Sequence, residues 1–436
     1  MTSFLKRAGR LLGLGFFVCL FAGAAYWVMN IPDKSIRGVW RSDGYGLLVD
    51  ISGTAIKIYE VSPVDSCLHW VTLPANIDLV NRLVGYGFST DDDSLTIRVA
   101  EITNDVHATQ VPSLPDACAG IPDNSSRTTL DIFLSTFSTH YPNFALYDID
   151  WSTRVTAAND QLEQGVPLDQ IMREALFGLE DGHVGIVFDD ESFSPKTDPA
   201  WFRERRKYFD VGAAYLESPL TALPEAGLFH GWLPDDISYI AIVHMGSSSS
   251  AWRSPVKQAQ LLTEQLSETY STAEAIIIDL RYNSGGSDIV ALAYASLLSK
   301  KSWLVGRKAV KTASDSFGAF VNVHGDGMPN ALTIPAAVLI SSYTVSAGEI
   351  GVLALRELPT VTTIGENTSG ALSDMMERQL PNGWFFSLPH QVYESPAGLR
   401  FEGPGIPPDL AVSMNINMFS DGKDRILEAA IAELKK

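Results

Sequence analysis

Apolar and polar residues alternate in short runs between residues 36 and 112, and turn residues separate the runs. Examples are Thr54 to Val61, Leu79 to Phe88 and Ser94 to Ile102. A period of two is typical of strands that bury one face. The pattern predicts a small antiparallel β domain over residues 36–112, followed by a linker over residues 113–127.

The period becomes helical after residue 127. Four apolar residues lie three, four or seven positions after the first or before the last of the set, which places them on one helix face. They are Leu130, Phe133, Leu134 and Phe137. A second helical pattern runs from Val166 to Leu179. We expect a helical subdomain over residues 128–190, in which a glycine-flanked loop around Gly182 and His183 follows the helices.

Strands and helices alternate from about residue 200 to the end of the chain. Ala275 to Leu280 is a β-branched apolar run, which is typical of a strand buried on both faces. Ala336 to Ile340 is another such run, and a helical pattern from Ala347 to Leu358 follows it closely. This alternation indicates a layered α/β domain over residues 200–436. The chain as a whole is expected to have a multidomain α/β fold.

The N-terminus has the pattern of an export signal. Lys6, Arg7 and Arg10 precede an apolar run from Leu11 to Met29, which is long enough to span a bilayer. The small residues around Gly23 also suit signal cleavage, so residues 1–30 are either a membrane anchor or a removed signal peptide. Both alternatives place the rest of the chain in the cell envelope outside the cytoplasm (periplasmic in a bacterium), or in the medium.

Composition narrows the classes of function. The net charge of the 436 residues is −19, which argues against nucleic acid as a partner because phosphate backbones attract basic surfaces. Outside the apolar N-terminal run the only cysteines are Cys67 and Cys118. An oxidising compartment favours a disulfide between them.

Ser346 stands where the strand that ends at Ile340 turns into a helix. At such a junction the helix amides and the positive end of the helix dipole can stabilise a negative charge, so Ser346 is a candidate nucleophile. Glu349 allows a second interpretation, because Ser-x-x-Glu is also a capping box that needs no chemistry. The junction alone leaves both interpretations open.

Four motifs in the second half of the chain occur in a recognisable order. They are Asp279-Leu280-Arg281-Tyr282-Asn283-Ser284-Gly285-Gly286, Ser346-Ala347-Gly348-Glu349, Gly365-Glu366-Asn367-Thr368-Ser369-Gly370 and Glu402-Gly403-Pro404-Gly405-Ile406-Pro407-Pro408-Asp409. With this set, residues 128–415 resemble the tail-specific (C-terminal processing) peptidase family, including its tricorn-core branch. The resemblance implies a crotonase-like α/β core and a serine peptidase with Ser346 as nucleophile.

The typical tail-specific branch carries a lysine base shortly after its Gly-Glu-x-Thr-x-Gly motif. This chain has Gly370-Ala371-Leu372 there, and no lysine between Lys311 and Lys423. The tricorn-core branch implies His183 as the base and Glu402 as the acid that orients it. An imidazole titrates near neutral pH and suits the role of base.

Alternatives stay open at these positions. His244 is a second candidate base, and Glu349 or Glu377 is a second candidate acid. The tricorn-core branch also implies a serine directly before its histidine, where this chain has Gly182.

Backbone amides are expected to bind the oxyanion. Gly285 and Gly286 can bring bare backbone close to a substrate carbonyl, and the amide of Ala347 follows the nucleophile. A tight turn that needs glycine only for its backbone angles is the alternative interpretation of the two glycines.

The expected function is therefore an exported serine endopeptidase that cleaves polypeptides through an acyl-enzyme. The resemblance implies neither a metal nor an organic cofactor, the N-terminal segment is the expected membrane contact, and oligomer formation is left open. The alternative is a non-catalytic protein of the same fold that binds a hydrophobic ligand or a peptide. It stays open because a serine without an adjacent base is a poor nucleophile.

Overall fold

The computed structural model describes residues 32–64, 66–91, 94–99, 102–120, 122–246, 254–414 and 421–436. The expected anchor or signal peptide, residues 1–30, lies outside them. Within the described ranges, no helix has both the length and the apolar character that a bilayer crossing requires. The chain divides into two compact units, one of Met1–Ala100 with Asp105–Pro122 and one of Glu101–Asn104 with Asp123–Lys436.

The first unit is an antiparallel sheet, as the alternating pattern predicts. Its described strands are β1 (Gly38–Ser42), β2 (Leu47–Ile51), β3 (Ala55–Val61), β4 (Cys67–Pro74), β5 (Tyr86–Asp91), β6 (Ser94–Val99) and β7 (Val106–Val111). They lie in the order β4-β3-β2-β1-β7-β6-β5. Trp40, Leu48, Ile56 and Leu95 are fully buried and belong to its core.

One expected strand of this unit is partly wrong. Residues 77–84 form helix α1 (Ile77–Val84), and only the last three residues of the predicted strand at Leu79 to Phe88 belong to a strand, β5. The Asn76 side chain accepts a hydrogen bond from the Leu79 N–H (2.9 Å), and Gly85, with a φ of 71°, ends the helix. The two caps outweigh a weak alternation, because each satisfies backbone groups that a short helix leaves unpaired.

The two cysteines of the first unit form a disulfide. Cys67 begins β4, Cys118 lies in a short 3-10 turn, and their Cα atoms are 4.8 Å apart. The bridge joins residues 51 positions apart, which corresponds to about 4 kcal/mol of lost chain entropy in the unfolded state. It packs beside Leu48 and Tyr59.

The second unit contains helices and strands in alternation. Its described helices are α2 (Ser126–His140), α3 (Trp151–Glu163), α4 (Leu168–Leu176), α5 (Arg205–Ala213), α6 (Pro255–Thr269), α7 (Asp288–Ala295), α8 (Ala347–Arg356) and α9 (Arg425–Leu434). Its described strands are β8 (Gly185–Phe188), β9 (Glu191–Phe193), β10 (Thr221–Leu223), β11 (Leu228–Leu233), β12 (Ile237–Ile242), β13 (Ala275–Asp279), β14 (Trp303–Ala313), β15 (Ser316–Phe317), β16 (Val321–Gly325), β17 (Ala336–Ile340), β18 (Val361–Gly365), β19 (Met375–Gln379), β20 (Phe385–Pro389), β21 (Gln391–Glu394) and β22 (Leu410–Ala411).

The central sheet has the order β10-β11-β12-β13-β17-β18-β22. It is parallel from β12 to β22, and β10 and β11 extend it in antiparallel fashion. Ile276 and Ile278 of β13 face one apolar cluster, whereas Ile277 faces another. Because successive side chains of a strand point to opposite faces, β13 is buried on both faces, as its apolar run predicts.

The register of the parallel strands determines where the candidate site forms. Ile278 of β13 pairs with Val338 of β17, and Asp279 pairs with Leu339. The carboxyl ends of the two neighbouring strands therefore lie at the same edge of the sheet. The loop that contains Gly285 and the loop that leads to Ser346 both begin at this edge.

The helical subdomain shares its core with strands from much later in the chain. A small antiparallel sheet has the order β19-β20-β8-β9, and it packs against α2 to α4 through Phe386, Leu388 and Met376. Phe133 and Phe386 meet edge to face with ring centroids 5.3 Å apart. This shared core brings the segment before β8, which contains His183, to the segment before β19.

Candidate active site

Ser346 has an unusual backbone conformation. Its φ is 58° and its ψ is −127°, and it is the only described residue besides glycines and aspartates with a positive φ. Such a conformation costs of order 1–3 kcal/mol for a residue with a side chain, and it recurs at functional sites. A strained turn from a strand into a helix exposes the hydroxyl at the edge of the sheet.

Ser346 and Glu349 are arranged as a capping box, as one interpretation of the sequence predicts. The Ser346 N–H donates to Oε2 of Glu349 (3.2 Å). The Glu349 N–H faces the Ser346 side chain, as in a capping box, and it donates a hydrogen bond to the carbonyl oxygen of Ser346 (2.7 Å). The cap is therefore compatible with a hydroxyl that is available for chemistry.

Glu349 organises the loop on the other side of Ser346. Its buried carboxylate accepts hydrogen bonds from the Thr368 hydroxyl (2.5 Å) and from the N–H groups of Gly370 and Ala371 (both 2.8 Å). Burial raises the pKa of Glu349, and these hydrogen bonds counteract the rise. With its oxygens occupied in this way, Glu349 acts as a support of the loop, which argues against it as the partner of a catalytic histidine.

The glycine turn after β13 lies directly against Ser346. A Cβ atom on Gly285 would lie 2.8 Å from the Ser346 Cβ, and Gly285 has a φ of 84°. A Cβ atom on Gly286, which has a φ of 137°, would lie 2.2 Å from the Met245 carbonyl oxygen. Both positions therefore require glycine for space as well as for conformation.

The three expected oxyanion donors differ in their availability. The Gly285 N–H donates to Oδ1 of Asn283 (2.8 Å), so it is occupied. Among the residues that the structure describes, the N–H groups of Gly286 and Ala347 have no hydrogen-bond acceptor. Gly286 and Ala347 are the better candidates, and Gly285 is better interpreted as the residue that shapes the turn.

A buried ion network supports this turn from below. Arg281 contacts Asp279 through Nη2 (2.6 Å) and Asp424 through Nη1 (2.8 Å), and all three side chains are almost completely buried. The Ser341 hydroxyl donates to the Arg281 carbonyl oxygen (2.6 Å), which ties the glycine turn to the loop before Ser346. The sequence-based interpretation of Asp279, Arg281 and Asn283 as structural residues agrees with these contacts.

His183 is buried beside a carboxylate that the sequence analysis did not single out. The His183 N–H donates to Oδ1 of Asp181 (3.0 Å), and the Tyr141 hydroxyl donates to Oδ2 of the same carboxylate (3.0 Å). Burial lowers the pKa of His183, and the charges of Asp181 and Asp374 counteract this. A buried imidazole with a lowered pKa is neutral at physiological pH and able to accept a proton.

His183 and Ser346 contact the same stretch of chain from different elements. The Ser373 backbone faces the His183 imidazole and raises its pKa, and a Cβ atom on Gly182 would lie 3.3 Å from the Ala371 Cβ. The Ser346 N–H donates to the Ala371 carbonyl oxygen (3.1 Å). No hydrogen bond joins the Ser346 hydroxyl to His183, and Nδ1 of His183 has no partner among the described residues.

Glu402 reaches this stretch from the opposite direction. Its Oε2 accepts hydrogen bonds from the N–H groups of Leu372 (3.0 Å) and Ser373 (3.1 Å), whereas its buried Oε1 has no partner in the described part of the chain. Burial, with the charges of Asp181 and Glu349, raises the pKa of Glu402 well above its usual value. The expected hydrogen bond between Glu402 and His183 is not formed in this structure.

The remaining alternatives are less favourable. His244 is exposed, and its ring lies over Gly246. Glu377 is exposed on β19. Asp181, Asp374 and Lys196 are the residues near His183 that the sequence analysis missed. Only Asp181, next to the Gly-His pair, carries a local sequence signal, since the other two reach His183 through the tertiary fold.

The second unit is similar to known peptidases in sequence and in fold. Residues 236–412 match the sequence profile of peptidase family S41. A Staphylococcus aureus (strain COL) protein named "Probable CtpA-like serine protease" is 24% identical over 137 residues, which are 31% of this chain and 27% of that protein. The chain thus spans about a quarter of the length of the curated relatives it matches.

Two solved structures share the fold. A protein of Parabacteroides merdae ATCC 43184, described as a candidate peptidase, superposes with a TM-score of 0.60 at 23% identity, and the match covers 72% of this chain and 98% of that one. Mature CPAF in complex with lactacystin superposes with a TM-score of 0.51 at 12% identity, covering 71% and 99%. Residues 236–412, which hold Ser346 and the glycine turn beside it, therefore form a peptidase family S41 domain.

Proposed function

We propose that this protein is a serine endopeptidase in which Ser346 is the nucleophile. The observation that carries the proposal is the strained turn at Ser346, beside which the N–H groups of Gly286 and Ala347 have no acceptor among the described residues. This combination provides a nucleophile and an oxyanion site at the start of one helix. The N–H of Ala347 is unpaired at any helix start, but a capping role alone explains neither the strain at Ser346 nor the unpaired N–H of Gly286.

The reaction follows from these positions. Oγ of Ser346 forms a bond to the carbonyl carbon of the scissile peptide, its proton passes to His183, and the N–H groups of Gly286 and Ala347 bind the oxyanion. The C–N bond then breaks, and His183 returns the proton to the leaving amine. Water attacks the acyl-enzyme in the same way, releases the acid product and restores Ser346.

His183 must come within hydrogen-bond reach of Ser346 during this cycle. Both residues lie against the segment of Ala371 to Ser373, so a local adjustment of this segment would change the distance between them. Catalytic hydrogen bonds are often long without substrate and shorten in the complex.

Glu402 is proposed to orient His183. Nδ1 of His183 and Oε1 of Glu402 are both buried and have no hydrogen-bond partner among the described residues, and both side chains lie at the Ser373 backbone. Pairing the two atoms would satisfy two buried polar groups at once, since each unpaired group costs about 1–3 kcal/mol. Asp181 is the alternative orienting acid, because it already binds the His183 backbone.

Labelling with a fluorophosphonate probe tests the proposal. We expect the wild-type protein to be labelled at one site, Ser346→Ala not to be labelled, and His183→Ala to be labelled at least about 100-fold more slowly. Ser342→Ala is the matched control, because Ser342 lies in the same loop and its hydroxyl donates to Glu366. Equal labelling of the wild type and Ser346→Ala would remove the chemical basis of the peptidase function.

A second candidate function is ligand binding without catalysis. Val187, Met375 and Phe385 are exposed on the outer face of the β19-β20-β8-β9 sheet, and together with Gly182 they line a cavity of about 410 Å³. A surface of this kind can bind a hydrophobic ligand or an apolar peptide. Saturable binding of an apolar fluorophore that Phe385→Ser weakens, without any Ser346-dependent labelling, would favour this function.

Export to the cell envelope is part of the proposal. It is supported by the N-terminal pattern of basic and apolar residues, and by the disulfide between Cys67 and Cys118, which persists in oxidising compartments. The redox state of these two cysteines in cells tests it.

A further inference from the structure

Lys196 lies between the two parts of the candidate site. Its Nζ donates a hydrogen bond to the carbonyl oxygen of Ser369, 173 positions later in the chain. A Cβ atom on Gly182 would lie 3.7 Å from Cδ of Lys196, as well as 3.3 Å from the Ala371 Cβ. The aliphatic part of Lys196 therefore packs beside the turn of Gly182 and His183, and its charged end reaches the loop that supports Ser346.

That loop is held firmly against Ser346. The Ser369 N–H donates to the Thr344 carbonyl oxygen (2.9 Å), and the Ala371 carbonyl oxygen accepts from the Ser346 N–H (3.1 Å). Lys196 binds the carbonyl oxygen of Ser369, and Ala371, two residues further along the chain, is hydrogen-bonded directly to Ser346. Lys196 connects this contact to the histidine turn.

The charge of Lys196 acts on both sides of the site. It lowers the pKa of His183 and also the pKa of Glu349, which supports the loop. The other charged groups that face His183 are Asp181 and Asp374, and they act in the opposite direction. Lys196 therefore favours a neutral imidazole and an ionised Glu349 at the same time.

We propose that Lys196 is a positioning residue of this site: its side chain ties the Gly182–His183 turn to the Ser369–Ala371 loop and thereby fixes His183 relative to Ser346. The inference rests on the proposed function. Lys196 is not itself the base, because its ammonium group donates to a backbone carbonyl oxygen. Its role also fits Gly182, since a Cβ atom there would lie 3.3 Å from the Ala371 Cβ, tighter than an ordinary contact, beside the Lys196 side chain.

The experiment compares wild type, Lys196→Met and Lys196→Arg in full-length protein. The rate of fluorophosphonate labelling is measured from pH 5 to 9, and His183 is titrated by NMR with ¹³C-labelled histidine, its signal assigned with His183→Ala. Lys207→Met is the matched control, because Lys207 is an exposed lysine that pairs only with Glu204 in the described structure.

We expect Lys196→Met to label about tenfold more slowly at neutral pH, the effect of losing one hydrogen bond to a charged group. Without the positive charge the pKa of His183 rises, so the acid limb of the labelling profile moves to higher pH. Lys196→Arg keeps the charge and is expected to restore most of the rate and the position of the limb. Lys207→Met is expected to match the wild type.

The results separate this inference from the proposed function. If the wild type labels at Ser346 but Lys196→Met has the same rate and the same acid limb, the inference is wrong and the proposed function stands. If the wild type does not label, the proposed function is wrong. The NMR titration then still tests whether Lys196 acts on His183. An unchanged His183 pKa in Lys196→Met, or no difference between the Met and Arg variants, overturns the role of Lys196.

Discussion

At the scale of single residues, the candidate site contains groups whose burial sets their chemistry. His183 and Glu402 are both buried, and burial shifts their pKa values in opposite directions towards the neutral form. In the described part of the chain, each side chain also has one polar atom without a hydrogen-bond partner. Such unsatisfied atoms are rare in folded proteins, and they mark positions where a further contact is favourable.

Glu402 leads to a prediction about stability and pH. Because its pKa is raised in the folded protein, the folded state keeps a proton that the unfolded chain loses above about pH 4.5. The free energy of unfolding therefore falls as the pH rises through this range. Glu402→Gln keeps an oxygen that can accept from Leu372 and Ser373 but cannot ionise, so we expect it to be at least about 1 kcal/mol more stable than the wild type at pH 8.

Guanidinium unfolding at pH 5 and pH 8 measures this effect. The matched control is Glu377→Gln, since Glu377 is exposed on β19. The control is expected to keep the pH dependence of the wild type. If Glu402→Gln shows the same pH dependence of unfolding as the wild type, then Glu402 is ionised in the folded protein and its pKa is not raised.

At the scale of secondary structure elements, the first turn of α8 packs directly on the glycine turn after β13. A Cβ atom on Gly348 would lie 2.5 Å from Oδ1 of Asn283, the atom that accepts the Gly285 N–H. Nδ2 of Asn283 donates to the Ile242 carbonyl oxygen (2.8 Å), so Asn283 also ties the turn to β12. The position of Ser346 thus depends on close contact between a helix and a turn.

We predict that Gly348→Ala weakens this contact. The added methyl group would displace Oδ1 of Asn283 and release the Gly285 N–H, at a cost of about 1–3 kcal/mol for overpacking. The midpoint temperature of thermal unfolding and the rate of fluorophosphonate labelling should both fall. Gly351→Ala in the same helix is the control, because its Cβ atom would meet the end of the flexible Met245 side chain (3.3 Å) and, at ordinary contact distance, side-chain atoms of Ala291 (3.7 Å) and Leu280 (3.9 Å). If both variants lose the same stability and labelling rate, the effect comes from any added methyl group in this helix, and the contact between Gly348 and Asn283 is not its cause.

At the scale of the whole molecule, the candidate site draws its residues from distant segments of the second unit. They are His183, Lys196, Gly286, Ser346, Glu349 and Glu402. None of these residues belongs to the first unit, which contains the seven-stranded sheet and the disulfide. A site assembled from such distant segments forms only when the unit folds cooperatively, because the entropy of closing the intervening loops must first be overcome.

Export makes a prediction at this scale. If the chain is exported, Cys67 and Cys118 are joined in cells and resist alkylation until a reductant is added. The measurement is mass-shift alkylation of a Cys19→Ser variant, which leaves these two as its only cysteines. Deletion of residues 2–30 should retain the chain in the cytoplasm and leave both thiols free. Free thiols in the full-length variant would contradict export.

The sequence by itself determined much of the architecture. Continuous β-branched runs such as Ala275 to Leu280 predict strands buried on both faces, and spacings of three and four predict the helices of residues 126–176. These patterns are reliable because burial acts on every residue of a long element. The short helix α1 was missed, because eight residues with a weak alternation carry little periodic signal and the caps at Asn76 and Gly85 decide the outcome.

Only the tertiary structure decided how the site is assembled. The sequence indicates Ser346 from its strand-to-helix junction, but not that Glu349 accepts four hydrogen bonds or that the Gly285 N–H is occupied. It places Lys196 outside every motif, and the fold brings it to Ser369. The physical reason is that local patterns report burial and backbone preference, whereas hydrogen bonds across more than a hundred residues depend on how the sheets and helices pack together.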